Sequence, residues 1–183
     1  MATKIALKII EKYIDDCQKE HKKPHSYILE CLRKIASGNS RNSITEINLN
    51  LCGNGSLKTA ERVGCGISAN RIKDDDSNLF CQSISFNTAI RSIDLRYNNL
   101  TDNAVQGFGQ LLENSISLQE LNLLGNNITE EGIQLLAQSL QKNSILKSLR
   151  LTGNKIGNGG GMLLARALQV VYYYLHILIN GVR

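Results

Sequence analysis

Proline occurs once in the 183 residues, at Pro24, and tryptophan not at all. A chain with a single proline has no rigid Pro-rich spacer, so any flexible joint must be built from Gly, Ser and Asn. Histidine is scarce, with three copies, two of them at His21 and His25. That leaves little material for a catalytic triad, and no Ser/His/Asp or Cys/His set has supporting spacing. The five cysteines (Cys17, Cys31, Cys52, Cys65 and Cys81) are odd in number, irregularly spaced and contain no C-x-x-C. A secreted disulfide framework is even and denser. No apolar run reaches bilayer length: the longest, in the tail VVYYYLHILINGVR, is too short to span. Charge of one sign is not in large excess either. Twenty-one basic against 16 acidic residues give +5, which permits acidic partners or RNA without requiring them.

The N-terminal segment MATKIALKIIEKYIDD interrupts its apolar positions with Lys, Glu and Asp, so it has no signal-peptide core. With the cysteine pattern, this predicts a reduced compartment: the cytoplasm, with nucleus or nucleolus as alternatives, and not secretion. The sequons at Asn54, Asn99 and Asn127 then carry no meaning.

What is present is a repeat. IRSIDLRYNNL from Ile90, LQELNLLGNNI from Leu118 and LKSLRLTGNKI from Leu146 align without gaps, and their starts keep one constant period (118 − 90 = 146 − 118 = 28). The apolar positions keep phase, and Asn98, Asn126 and Asn154 share one slot. In the second half of each unit, Ala104, Gly132 and Gly160 share a column, and so do Phe108, Leu136 and Leu164. Gly109, Ala137 and Ala165 form a small-residue column, and Leu112, Leu140 and Leu168 close the unit. L-x-L is strand spacing; Phe108 to Leu112 is i, i+4, which is helix spacing. Each unit is therefore predicted as strand, turn and helix, with strands near 92–96, 120–124 and 148–152. Thr101-Asp102 and Thr129-Glu130-Glu131 sit where an N-cap and first-turn acids belong. The slot Asn can satisfy turn backbone groups that would otherwise be buried unpaired.

Upstream the period weakens. Stepping back one period gives Cys65, Ile67, Asn70 and Ile72, then Phe80, Cys81 and Ile84, with Arg62 as a misfit. Earlier, ITEINLNLC supplies Ile44, Ile47, Leu49 and Cys52, but the step from Ile44 to Arg62 (62 − 44 = 18) falls well short of a unit. The expectation is four to five units over residues 40–169, the first ones degenerate. Residues 1–39 read as a helical cap, two amphipathic helices interrupted at Pro24, covering the open end of the core. Residues 170–183 read as an atypical tail. Its last strand, Tyr172–Ile179, is apolar on both faces and has no Asp, Glu, Lys or Arg, which predicts edge-to-edge self-association.

LQELNLLGNNITEEGIQLLAQSLQKNSILKSLRLTGNKI resembles the ribonuclease-inhibitor type of leucine-rich repeat, over about residues 85–170 and more loosely over 44–84. The resemblance implies an α/β horseshoe solenoid with parallel strands on the concave face and helices outside, and a protein-binding role. Strand alternation then puts Ser92, Asp94, Arg96, Glu120, Asn122, Leu124, Ser148, Arg150 and Thr152 on the concave face. Leu124 is an exposed apolar candidate anchor there. No catalytic residue, cofactor, metal or small-molecule substrate is expected.

Rival chemistries are weaker. Cys17, His21, His25 and Cys31 could suggest zinc, but Pro24 breaks the helix before His25 and paired ligands are missing. The run Asn158-Gly159-Gly160-Gly161 lacks the G-K-[ST] of a phosphate loop and falls where a repeat turns into its helix. Asp74-Asp75-Asp76 is explained by the helix dipole. The cluster of Lys19, His21, Lys22, Lys23 and His25 has no stacking aromatics for RNA, so nucleic acid is not the expected partner, and an RNA-associated protein using this basic patch stands as an alternative. Some leucine-rich-repeat proteins of this type activate a small GTPase with an arginine, which makes Arg96 or Arg150 the enzyme-class alternative.

Overall fold

The structure, a computed structural model, describes residues 2–37, 46–48, 72–170 and 176–178. Helices and strands alternate after a helical start. The order is α1 (Ala2–Lys19), α2 (Ser26–Ala36), β1 (Glu46–Asn48), α3 (Asp74–Ile84), β2 (Ser92–Asp94), α4 (Asp102–Asn114), β3 (Glu120–Asn122), α5 (Glu130–Lys142), β4 (Ser148–Arg150), α6 (Gly157–Val170) and β5 (His176–Leu178). The five strands form one parallel sheet in chain order. From β2 onward each step advances the register by one period: Ile93 lies beside Leu121, Leu121 beside Leu149, and Leu149 beside Ile177. The expected strands begin where the period puts them and end two residues sooner.

Why the chain stacks this way is visible unit by unit. Ile90, Ile93, Leu95 and Leu100 are buried, as are Leu118, Leu121, Leu123 and Ile128 and then Leu146, Leu149, Leu151 and Ile156. Each such side chain contributes about 1.5–3 kcal/mol when removed from water. No unit can bury its set alone, so neighbours close the core. The loop above each strand is held by the slot Asn. Asn126 Oδ1 accepts the N–H groups of Asn98 (3.1 Å) and Leu100 (3.0 Å), and its Nδ2 donates to the carbonyls of Leu95 (3.1 Å) and Leu123 (2.8 Å). The amide thereby ties its own loop to the preceding one, and Asn98 and Asn154 repeat the pattern.

A second ladder runs along the helix starts. Thr101 and Thr129 are N-caps whose hydroxyls accept from Asn103 and Glu131 N–H, both at 3.3 Å. Each Thr also reaches back one unit. Thr101 N–H donates to Asp74 (2.8 Å) and Thr129 N–H to Asp102 (2.8 Å), and both hydroxyls donate to the same carboxylates. The first-turn acids thus join neighbouring units as well as meeting the positive end of their own helix.

Upstream, one described unit is longer than the rest. β1 lies directly beside β2, with Ile47 opposite Ile93, a sequence step of 46 (93 − 47). The later part of the same unit keeps the shorter period. Ile72 N–H donates to Asn98 Oδ1 at a separation of 26, the separation by which Leu100 meets Asn126 and Ile128 meets Asn154. One unit is therefore longer than the others, by 46 − 28 = 18, and the excess lies between its strand and its helix. The unit expected to begin at Arg62 falls on residues that lie outside the described ones as far as Ile72. Cys52, Cys65, Ile67 and Asn70 lie outside the described residues.

The N-terminal helices pack against the first repeat helix. Tyr13 of α1 meets Phe80 of α3 edge-on, ring centres 6.1 Å apart and planes at 84°. The buried Asp16 carboxylate accepts the Ser83 hydroxyl (2.8 Å) and the Lys12 ammonium (2.8 Å), joining α1 to α3 through a charge that is paired rather than stranded. Among the described residues no helix is long and apolar enough to cross a membrane.

Candidate functional site

The strands place the nine singled-out residues in three rows. Ser92, Glu120 and Ser148 stand opposite one another on successive strands, and so do Asp94, Asn122 and Arg150. The row Arg96, Leu124, Thr152 lies just past the strand ends. The ladder continues there through Tyr97 N–H to Leu124 O (3.0 Å) and Gly125 N–H to Thr152 O (2.8 Å). Ser92, Asp94, Arg96, Glu120, Asn122, Ser148 and Arg150 line one shallow groove of about 170 Å³. Leu124 and Thr152 are not part of its lining. Leu124, expected to be an exposed anchor, is half-buried.

Charge divides the groove into an occupied and an open part. Arg96 is tied to Asp94 by two charge-assisted bonds, Nη2 to Oδ2 at 2.8 Å and Nε to Oδ1 at 3.0 Å, and its backbone N–H donates to Oδ1 at 3.1 Å. Glu120 is exposed and accepts a long 3.4 Å bond from the Ser92 hydroxyl. Arg150 is exposed and has no ion pair or side-chain hydrogen bond among the described residues. One carboxylate and one guanidinium are therefore open to a partner. An arginine offered to a GTPase would have to be Arg150, since reaching out with Arg96 breaks its pair with Asp94.

Tyr97, next to Arg96 at the strand end, was not among the expected residues. It occupies the slot that holds Gly125 and Gly153 in the next two units, and all three have left-handed backbones, with φ of 58°, 68° and 74°. A tyrosine there is strained by roughly 1–2 kcal/mol. Its ring lies against Gly125, so closely that a Cβ on that glycine would overlap it. The readable signal was a bulky residue in a glycine column.

The rejected chemistries can be placed too. Cys17, Cys31 and Cys81 are free thiols in the core. Burial pushes the Cys81 thiol up to about 12, and burial also raises Cys17 and Cys31. These are inert packing residues rather than nucleophiles. Among the described residues no group of three or more His, Cys, Asp or Glu is gathered to hold a metal ion. In the basic cluster, Lys19 pairs with Asp15 (2.6 Å) and Lys22 with Asp75 (3.0 Å), which takes charge away from a phosphate. Gly159 and Gly160 lie inside the first turns of α6, against Glu130 and Ile156, rather than in a loop before the helix.

Comparison with known proteins agrees with this geometry. Residues 86–109, 114–137 and 142–165 match the family model described as Leucine Rich repeat. No curated protein sequence matches the chain significantly. Among solved structures, the chain is similar to that of Leiomodin-1 Actin-Binding Site 2, with 21% identity and a TM-score of 0.63 over 85% of this chain and 80% of that one. It is also similar to the tropomodulin C-terminal domain of Caenorhabditis elegans, with 17% identity and a TM-score of 0.60 over 85% and 84%. The fold is thus an α/β leucine-rich-repeat solenoid.

Proposed function

We propose that this chain is a non-enzymatic protein-binding scaffold whose partner lies on the outward, concave face of the sheet. The observation that carries the reading is the groove of seven in-register polar side chains in which Glu120 and Arg150 are left open while Asp94 and Arg96 satisfy each other. A rigid, parallel display of this kind holds side chains at fixed spacing, which lowers the ordering cost of binding. The strained Tyr97 at the rim adds a rigid aromatic of the type that anchors interfaces.

Actin is the first partner to try, because one of the similar structures is an actin-binding site of leiomodin-1. Within leucine-rich repeats, the ribonuclease-inhibitor type is the subfamily we favour, and HKKPHSYILECL followed by ITEINL resembles leucine-rich repeat-containing protein thirty-four. A cytoplasmic site of action, extending to nucleus or nucleolus, belongs to the same proposal. Capture experiments with wild type and with Arg96→Glu plus Arg150→Glu, actin being assayed first, test it. A partner held by wild type and weakened about tenfold or more by the double change supports the reading. Binding indifferent to the double change refutes it.

A further inference from the structure

We infer that the rim where helices lead into strands is a second docking surface, fitted to an acidic amphipathic segment of a partner protein. The chain has three phenylalanines. Phe80 and Phe108 are fully buried, but Phe86 is 78% exposed, and Ile116 in the next unit is 70% exposed. Both lie in the turns that follow helices, Phe86 after α3 and Ile116 after α4. The two turns are joined: the Ser117 hydroxyl donates to Asn87 O (2.9 Å) and Ile90 O (2.8 Å). Phe86 and Ile116 each stand one residue before this contact, so the adjoining turns both carry an exposed large apolar side chain.

The fold does not need apolar residues there. The turns are held by polar side chains in one repeating slot. Asn87 Oδ1 accepts the N–H groups of Ala89 (2.8 Å) and Ile90 (2.9 Å), and Asn143 Oδ1 accepts those of Ile145 (3.0 Å) and Leu146 (2.7 Å). Ser115 Oγ does the same for Ser117 and Leu118. A single exposed apolar side chain on a turn is ordinary, whereas adjoining large ones mark contact sites.

Charge says what covers the pair. Arg91 and Lys147 hold the same repeat position, just before the strands, and are linked through Gln119, whose N–H donates to Arg91 O (2.7 Å) and whose carbonyl accepts Lys147 N–H (2.8 Å). The two cations are exposed and have no side-chain partner among the described residues, and the backbone positions that carry them lie two strands apart, about 9.6 Å. Carboxylates two helical turns apart, a rise of roughly 10.5 Å, match that spacing, and apolar residues on the same helix face would cover Phe86 and Ile116. Two apolar side chains and two cations form a small footprint for a bilayer, where lasting attachment takes a larger apolar face or clustered charge. The surface lies outside the nine sheet residues and stands or falls without them.

The test is a random-peptide display library selected on the full chain, with selected peptides synthesised and their affinities measured. Enriched sequences should combine acidic and apolar residues at helical spacing. Phe86→Ser with Ile116→Ser, and separately Arg91→Glu with Lys147→Glu, should each weaken them about tenfold or more, whereas Arg96→Glu with Arg150→Glu should not. Because the altered side chains are exposed, urea midpoints should stay put, which separates lost binding from lost folding. Enriched peptides without acidic residues, or peptides indifferent to both rim variants, overturn the proposal. So does pelleting of the chain with phosphatidylserine vesicles through Phe86 and Ile116, which would make the rim a membrane contact instead.

Discussion

Alanine in place of glycine should have opposite effects at two helical positions of this solenoid, and the difference measures how tightly its helices stack. At Gly161 in α6 a Cβ would meet nothing within 4 Å. Gly161→Ala should therefore return only the helix-propensity gain of about 0.5–1 kcal/mol. Gly107 in α4 faces Asn78 of α3. Asn78 Nδ2 donates to Asn103 O (2.9 Å) and its Oδ1 accepts Gly107 N–H (2.9 Å), so the amide bridges one turn of the neighbouring helix. A Cβ on Gly107 would stand 2.8 Å from Asn78 Cα and overlap Oδ1. The side chain can turn away only by giving up two hydrogen bonds, at about 1 kcal/mol each. The backbone contact cannot be relieved by a rotamer, and moving α3 off α4 costs about 2 kcal/mol more. Set against a propensity gain of about 1 kcal/mol, the net loss is about 3 kcal/mol. Gly109 lies between these cases: its Cβ would stand 2.8 Å from Ser139 Oγ, a contact that a rotamer change relieves at the cost of two long bonds of 3.4 and 3.5 Å, so Gly109→Ala should be close to neutral. Urea unfolding followed by circular dichroism, with slopes compared as well as midpoints, gives the three values. A Gly107→Ala chain as stable as wild type would mean that α3 and α4 do not meet in this register, and the placement of the insertion between β1 and α3 would fall with it.

Other consequences are checkable by simpler means. Asn126→Ala leaves two buried N–H groups and two carbonyls without their side-chain partner and should cost about 3 kcal/mol or more; a midpoint shift no larger than that of an exposed alanine substitution would contradict the ladder. Thr129→Ala removes an N-cap and its bond to Asp102, and should cost about 1–2 kcal/mol in the same assay. Cys81 should resist thiol reagents in the native chain and react on unfolding. Because the fold raises its pKa from 9.0 to about 12, its contribution to stability is complete below pH 9 and declines as pH rises from 9 towards 12; stability that increases over that window would be the wrong sign. Finally, β5 is an outer strand of the sheet, and a chain cut after Gln169 should elute as a cleaner monomer than the full chain; the reverse order of behaviour would identify the tail as a cap.

The fold was legible because its causes repeat. A column of Leu or Ile at one fixed interval can be satisfied only by stacked strands, and the observed register of Ile93, Leu121, Leu149 and Ile177 is that interval. The slot Asn was legible for the same reason: it does one job at Asn98, Asn126 and Asn154. The insertion was not. The step from β1 to β2 is set by a non-local pairing, Ile47 with Ile93, and apolar periodicity carries no information about which strand a given strand will adjoin.

The candidate surfaces divide along the same line. Alternation separates the side chains that build the core from those between them, but it could not say which of the latter neutralise each other. Arg96 and Arg150 both read as outward arginines, in different rows; Asp94 two residues earlier holds the first, while the residue two before Arg150 is Ser148. Tyr97 and Phe86 are a different kind of omission. Each is a large aromatic where the repeat asks for something small or polar, and each costs the fold something, strain in one case and exposed apolar area in the other. Departures from a repeat's own rule, at positions where the neighbouring units obey it, are where the demands of folding and of contact pull apart. Gly125 and Gly153 show what folding alone prefers at the Tyr97 slot. Asn114, the residue one period after Phe86, shows the same at the end of α4. A search for function in such a solenoid therefore gains more from these mismatched columns than from the regular ones, because the regular columns are already accounted for by the core they build.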